Sequence, residues 1–287
     1  MNQGLHLVVF CAVDYQHMLT DHLASVDKFV QDKILSRTVI SNAKIDTDCN
    51  LVLDKDFWKL IDPDFVYKNV YKHNWVKQQI LKLNLDKIFS GNILLSDVEV
   101  VYQKPMTWCH GNQYAQVKIN RQPLCNSSDF IKTILDVTPE CSFLTESMIF
   151  DTDILRDLRT FVENKFGTDQ INAYRKIIYD DPTSMTPLHK IFMSEFELYN
   201  NFINLHHPER VWKQIDYNLG IYTSQSHCDI YTKNTGCQTQ WINFYEQIKD
   251  STWPECYKEE DFYNLPKHIQ EECITVHGYQ PKVKHGH

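Results

Sequence analysis

The chain has 287 residues, of which 43% are hydrophobic, 23% charged and 13% aromatic, and its formal net charge is −8. That balance is globular, with enough length to bury a core, and it excludes collagen-like, low-complexity and disordered classes. Only 8 glycines are present, which argues against glycine-rich repeats and multi-glycine nucleotide loops.

The nine cysteines are odd in number, and no pair has C-x-x-C spacing. A zinc ribbon and a full disulfide framework are thereby disfavoured, and free thiols are expected. The apolar run 5–13 is interrupted by His6 and lacks the basic region of a signal peptide. No stretch reaches the roughly 18 apolar residues of a membrane span, so a cytoplasmic protein is expected.

In chain order, 5–13 reads as a buried strand, followed by Asp14 and an amphipathic helix over 17–30. A short strand at 37–41 ends in Ser41-Asn42. Residues 51–53 lead into a short helix at 54–61. A β-α-β opening predicts a mostly parallel sheet covered by helices. Residues 75–85 are helical by spacing, with Trp75, Gln79 and Lys82 on one face. The run 92–102 reads as an apolar strand that meets Asp97 and Glu99 and then continues. A strand at 113–119 and a helix at 127–137 follow, with Ser127 or Ser128 as N-cap. Helices are expected at 151–166, 168–179, 188–205 and 238–248, strands over 212–224, and a last strand at 274–279. No repeat or linker interrupts the chain, so one α/β domain spanning 1–287 is expected.

Charge is unevenly spread. Residues 65–128 hold eight basic residues (Lys68, Lys72, Lys77, Lys82, Lys87, Lys104, Lys118, Arg121) and three acids (Asp86, Asp97, Glu99). A basic block in an acidic chain suggests a local anion site. Two carboxylates two residues apart on an extended chain point the same way, so Asp97 and Glu99 are candidate ligands for one hard divalent cation. Such a cation can hold a diphosphate and neutralise a leaving phosphate.

The helix Trp75-Val76-Lys77-Gln78-Gln79-Ile80-Leu81-Lys82-Leu83 and the strand from Ile93 through Asp97-Val98-Glu99 to Pro105 resemble glycosyltransferases of the GT-A fold. The closest likeness is to bacterial and viral members with a W-x-x-Q-Q-x-x-K-L helix before a D-x-D motif. It is clearest over 5–105 and weaker through Ser147–Asp151 and 194–199. Glu99 stands where that pattern has Asp; it keeps the charge and lengthens the reach.

The resemblance implies a Rossmann-related, mostly parallel sheet flanked by helices. It implies a donor half at 1–105 and an acceptor half at 106–287. The donor would be a nucleotide-diphosphate sugar and the metal Mn²⁺ or Mg²⁺. Val13, Asp14, Ser41 and Asn42 would face the nucleoside, while Gln79, Lys82 and Lys282 would meet ribose or diphosphate. Asp97, Glu99 and His277 would hold the metal. Glu195, Glu197 and Glu146 are the candidate catalytic bases, because a carboxylate on an apolar helix can have a raised pKa. The acceptor would be a surface glycan or, for a phage member in its host's cytoplasm, a hydroxymethylated DNA base. Two rivals remain: a nucleotidyltransferase, which usually carries a glycine-rich loop that Val13-Asp14-Tyr15-Gln16 lacks, and a non-catalytic nucleotide-sugar or glycan-binding module.

Overall fold

The structure, a computed structural model, describes residues 4–62, 74–102, 104–119, 125–143, 145–179, 193–216 and 222–224. The chain divides into two compact units, Met1–Gln225 and Ser226–His287, and every described residue lies in the first. The sequence-predicted helix at 238–248, the strand at 274–279, His277 and Lys282 lie outside the described residues.

The central sheet has five strands. Strand β1 (Leu5–Phe10) sits in the middle, with β2 (Ile34–Ser41) and β3 (Asn50–Leu53) to one side. On the other side are β4 (Asn92–Asp97) and β8 (Ser147–Asp151). β1, β2, β3 and β4 run parallel, and β8 closes the edge antiparallel to β4. The expected mostly parallel sheet is therefore present. The interior strands are apolar almost without interruption because helices cover the sheet: Leu5, Leu7, Val8, Ile93, Leu94 and Leu95 are all fully buried.

The helices are α1 (Leu19–Phe29), α2 (Asp54–Ile61), α3 (Asn74–Lys82), α4 (Cys125–Leu135), α5 (Thr152–Phe166), α6 (Gln170–Tyr179) and α7 (Glu195–His206). A three-stranded sheet, β6 (Cys109–His110), β7 (Gln113–Lys118) and β9 (Val211–Asp216), lies beside the main one. A third, two-stranded sheet pairs β5 (Val100–Tyr102) antiparallel with β10 (Tyr222–Ser224).

Several boundaries differ from the sequence reading. β1 stops at Phe10, and Val13–Met18 forms a 3-10 turn in place of a strand end. α4 begins at Cys125, so Ser127 and Ser128 lie within its first turn and do not cap it. α7 begins at Glu195, because Ser194 is extended and its hydroxyl caps the Glu197 N–H. The sequence-predicted strand 92–102 is two strands with a turn at Val98-Glu99. β4 loses its neighbours there: β1 ends opposite Asp97 and β8 ends opposite Ser96. The chain turns with Val98 buried, and β5 takes a new partner.

α5 is held at both ends by local chemistry. The Asp151 carboxylate accepts the Asp153 N–H at 2.8 Å as its N-cap. Gly167 ends it in the left-handed region at φ 63°. A β-branched side chain there is strained, so Gly167→Val is expected to lose about 1–2 kcal/mol of unfolding free energy in urea titration. An unchanged midpoint would show that the cap is not held in that conformation.

Candidate functional site

In a parallel sheet the strands' carboxyl ends and the loops after them share one edge, where open α/β sheets place ligands. Here that edge carries Phe10 (β1), Ser41 (β2), Leu53 (β3) and Asp97 (β4). The loops after β1 and β2 meet: the Val13 N–H donates to Asn42 Oδ1 at 3.0 Å. Val13, Asp14 and Asn42 are exposed, while Ser41 is buried. Four of the residues expected on the nucleoside side thus stand together.

Lys82, the last residue of α3, is the electrostatic centre. Its ammonium lies 2.9 Å from Asp97 Oδ1 and 2.8 Å from Glu195 Oε1. It packs over the rings of Phe196, at 4.6 Å, and Phe10, at 5.7 Å. Its side chain is 2% exposed and that of Glu195 is 1% exposed. Burial alone would push the lysine's pKa down, but the two carboxylates outweigh that and hold it above its ordinary value. Lys82 was expected to meet a diphosphate; in this structure its charge is directed at two carboxylates. Gln79, one turn earlier, is also buried.

Glu99 and Glu146 complete the cluster. Asp97 and Glu146 are tied through the main chain, the Asp97 N–H donating to Glu146 O at 2.9 Å. Burial, then the charge of Asp97, raises Glu99 to about 7. Burial, then the charges of Glu99 and Asp97, raises Glu146 to about 8. Glu146 Oε2 is buried with no hydrogen-bond partner among the described residues. Burial likewise raises Glu195, with Lys82 pulling it back. Asp97 and Glu195 thus flank one ammonium, while Glu99 and Glu146 are held above their ordinary pKa by burial and by the neighbouring negative charge.

The donor set of Asp97 and Glu99 is all oxygen, as Mn²⁺ or Mg²⁺ requires, and small hard cations commonly take few protein ligands and keep substrate phosphates and waters. Among the described residues no group of three or more His, Cys, Asp or Glu forms a ready metal cage. Two ligands thus fit, and the remainder must come from a bound diphosphate or from residues outside those described. The extended D-x-E geometry expected from sequence is replaced by the Val98-Glu99 turn, so strand alternation does not set the relation of the two carboxylates.

Not every candidate joins the cluster. Glu197 is two residues from Glu195 on α7 and projects from a different face. Its carboxylate accepts Ser142 Oγ–H at 2.5 Å and the Phe143 N–H at 2.9 Å, fixing the loop before β8. Asp151 serves as the α5 cap and also accepts from Arg210 and from the Tyr114 hydroxyl. Among the described residues the basic block does not form one patch either. Lys82 is internal, Lys68, Lys72 and Arg121 lie outside the described residues, and Lys87 and Lys118 line separate cavities. The first, about 750 Å³, includes Lys118, Cys141, Phe143 and Asn201. The second, about 260 Å³, includes Lys87, Asn84 and Arg159. Asp97, Glu99 and Glu146 line neither.

Sequence reasoning missed His22. It is fully buried on α1, and its Nδ1 lies 2.7 Å from Val100 O. A histidine inside an amphipathic helix carries no signal that separates it from a surface one. Cys11, Cys49, Cys109 and Cys141 are free thiols, as expected.

No protein-family model and no curated protein matches the chain. Among solved structures it is similar to mouse xyloside xylosyltransferase 1 in its apo form. That match has 11% identity over 75% of this chain and 86% of the other, with a TM-score of 0.42. No helix among the described residues is long and apolar enough to cross a membrane.

Two expectations follow from the cluster. Lys82→Met leaves Glu195 buried without its counter-charge, and about 3–5 kcal/mol of unfolding free energy should be lost. Urea titration measures this, and a change below ~1 kcal/mol would mean that the carboxylates are not held as ions. The second concerns pH. A carboxyl raised in the folded state stabilises fully below its unfolded pKa, and that contribution is lost as pH rises through the folded value. For Glu146 the window runs from 4.5 to about 8. The melting temperature of the metal-free wild type, relative to Glu146→Gln, should therefore fall across that window. A constant difference would refute the raised Glu146.

Proposed function

We propose that the chain is a metal-dependent glycosyltransferase of GT-A type, moving a sugar from a nucleoside-diphosphate sugar to an acceptor hydroxyl. The observation that carries this reading is the group of Asp97, Glu99 and Glu146 at the carboxyl edge of a parallel sheet. The two loops joined by Val13 and Asn42 lie along that edge. A cluster of carboxyl groups at that edge, with the pKa of Glu99 and Glu146 raised, suits a site completed by a divalent ion and a diphosphate.

In this reading residues 1–105 supply the donor half and 106–287 the acceptor half. Val13, Asp14, Ser41 and Asn42 line the nucleoside. Asp97 and Glu99 bind Mn²⁺ or Mg²⁺, with His277 and Lys282 as further contacts from the distal chain. The ion, when bound, acts as a Lewis acid on the leaving diphosphate. Lys82 holds Asp97 and Glu195 in place and does not itself meet the donor, because it is enclosed by both carboxylates and by Phe196.

Among the carboxyl groups weighed as base, Glu146 suits the role best. Its Oε2 has no hydrogen-bond partner among the described residues, so once a neighbouring cation favours the ionised form that oxygen is free to receive the hydroxyl proton. Glu195 is bound to Lys82, and Glu197 to Ser142 and Phe143. The acceptor is a hydroxyl of a glycan, with a hydroxymethylated DNA base as the alternative for a phage protein.

A thermal-shift screen of nucleoside-diphosphate sugars, with and without Mn²⁺, tests the reading, since a ligand bound only by the folded state raises apparent stability. At least one donor should raise the melting temperature only when Mn²⁺ is present. Asp97→Ala should then reduce Mn²⁺-dependent donor hydrolysis on the order of 100-fold or more, the upper range for disturbing a metal site. Undiminished hydrolysis in Asp97→Ala would sink the assignment.

A further inference from the structure

Asp97 and Glu99 are only two residues apart, yet different structures hold them. Asp97 is the last residue of β4, in register with Phe10 of β1, and its N–H is bonded to Glu146 O. Glu99 lies in the turn beyond, whose far end is β5. β5 belongs to no strand of the main sheet; its strand partner is β10. The Tyr102 hydroxyl meets Ser147 of β8, and α1 ties the backbone of β5 to the body of the fold.

The ties are two side chains one turn apart on the buried face of α1. The carbonyl of Val100 can only accept, so His22 Nδ1 must carry the proton, and it donates at 2.7 Å. Ser25 Oγ accepts the Tyr102 N–H at 3.1 Å and donates its own proton to His22 O at 2.7 Å. Val100 O and Tyr102 N are alternate backbone groups on one edge of β5, the groups that a neighbouring strand would otherwise satisfy. His22 and Ser25 stand in for that strand.

The arrangement is unfavourable for the histidine itself. It is fully buried, its Nε2 has no partner among the described residues, and burial pushes its pKa down to about 4. The groups facing it are Val100 O, the Tyr102 ring at 6.4 Å and, at longer range, the charge of Asp97. A leucine would fill the same apolar space without an orphaned nitrogen. The feature that leucine lacks is the donor to Val100.

We propose that His22 and Ser25 are positioning residues for the acidic turn: by fastening β5 to α1 they set where Glu99 stands relative to Asp97. This rests on the reading of Asp97 and Glu99 as cation ligands. It predicts a selective fault. Loss of the His22 donor displaces Glu99 while Asp97, held by β1 and Glu146, stays in place. The cation is then gripped by one carboxylate in place of two.

The test is the affinity of the full chain for Mn²⁺ alone, followed by electron paramagnetic resonance of the free ion, in four proteins: wild type, His22→Leu, Glu99→Gln and the double variant. His22→Leu should weaken Mn²⁺ binding about tenfold, and in the Glu99→Gln background the same change should have little further effect, as coupled residues require. His22→Asn, whose amide can donate to Val100 O, should restore most of the affinity. Ser25→Ala should weaken binding in the same direction, and it provides the measurement if His22→Leu does not fold.

Wild-type affinity in both His22→Leu and Ser25→Ala would overturn the inference and leave the cation site standing. An equal loss with and without Glu99 would also overturn it, since that is general loosening. A wild type that binds no Mn²⁺ would instead overturn the cation reading itself, and the inference with it.

Discussion

A buried ammonium between two carboxylates is the constraint around which this site is arranged. Lys82 ends α3, Asp97 ends β4 and Glu195 begins α7, so one ion triplet fixes the meeting of three elements distant in sequence. None of the three could be buried there alone, because an unpaired charge in an apolar environment is strongly penalised. Phe10 and Phe196 close over the ammonium and keep water away, which strengthens the pairing further.

The same enclosure shapes the chemistry next to it. Glu99 and Glu146 sit close enough to Asp97 that their ionisation is opposed, and one lysine does not balance the whole group. The electrostatics that hold α3 against β4 and α7 therefore also set the ionisation of the acids at the sheet edge.

A second buried charge network lies at the opposite end of the same strands. Asp151, opposite Asn92 in the β4–β8 register, pairs with Arg210 and the Tyr114 hydroxyl, and its N–H donates to Tyr199 Oη at 2.6 Å. Tyr199 and Glu195 are one turn apart on α7. The helix is thus fastened at both ends of β4, by Glu195 through Lys82 and by Tyr199 through Asp151. Glu197, on another face, holds the Ser142–Phe143 segment that leads to Glu146. Glu197, one of the acids considered for catalysis, and Asp151 are both accounted for by structural work of this kind.

Periodicity alone determined the main elements: the apolar runs that became β1 and β4, the amphipathic spacing of α1, α3 and α5, and the parallel sheet implied by a β-α-β opening. Those signals are local, since burial of one face imposes its period on the residues that form it. Asp97 was also legible, as an acid at the end of an apolar strand. Tertiary structure decided what each polar residue does. Lys82 and Glu195 find each other across more than a hundred residues, and no local pattern marks either as the other's partner. The bend at Val98-Glu99 arises because β1 and β8 end beside it, which depends on strands remote in the chain. His22 looks like any helical histidine until α1 is laid against β5. Sequence spacing specifies faces and periods; which buried charge meets which is specified only when the faces are packed together.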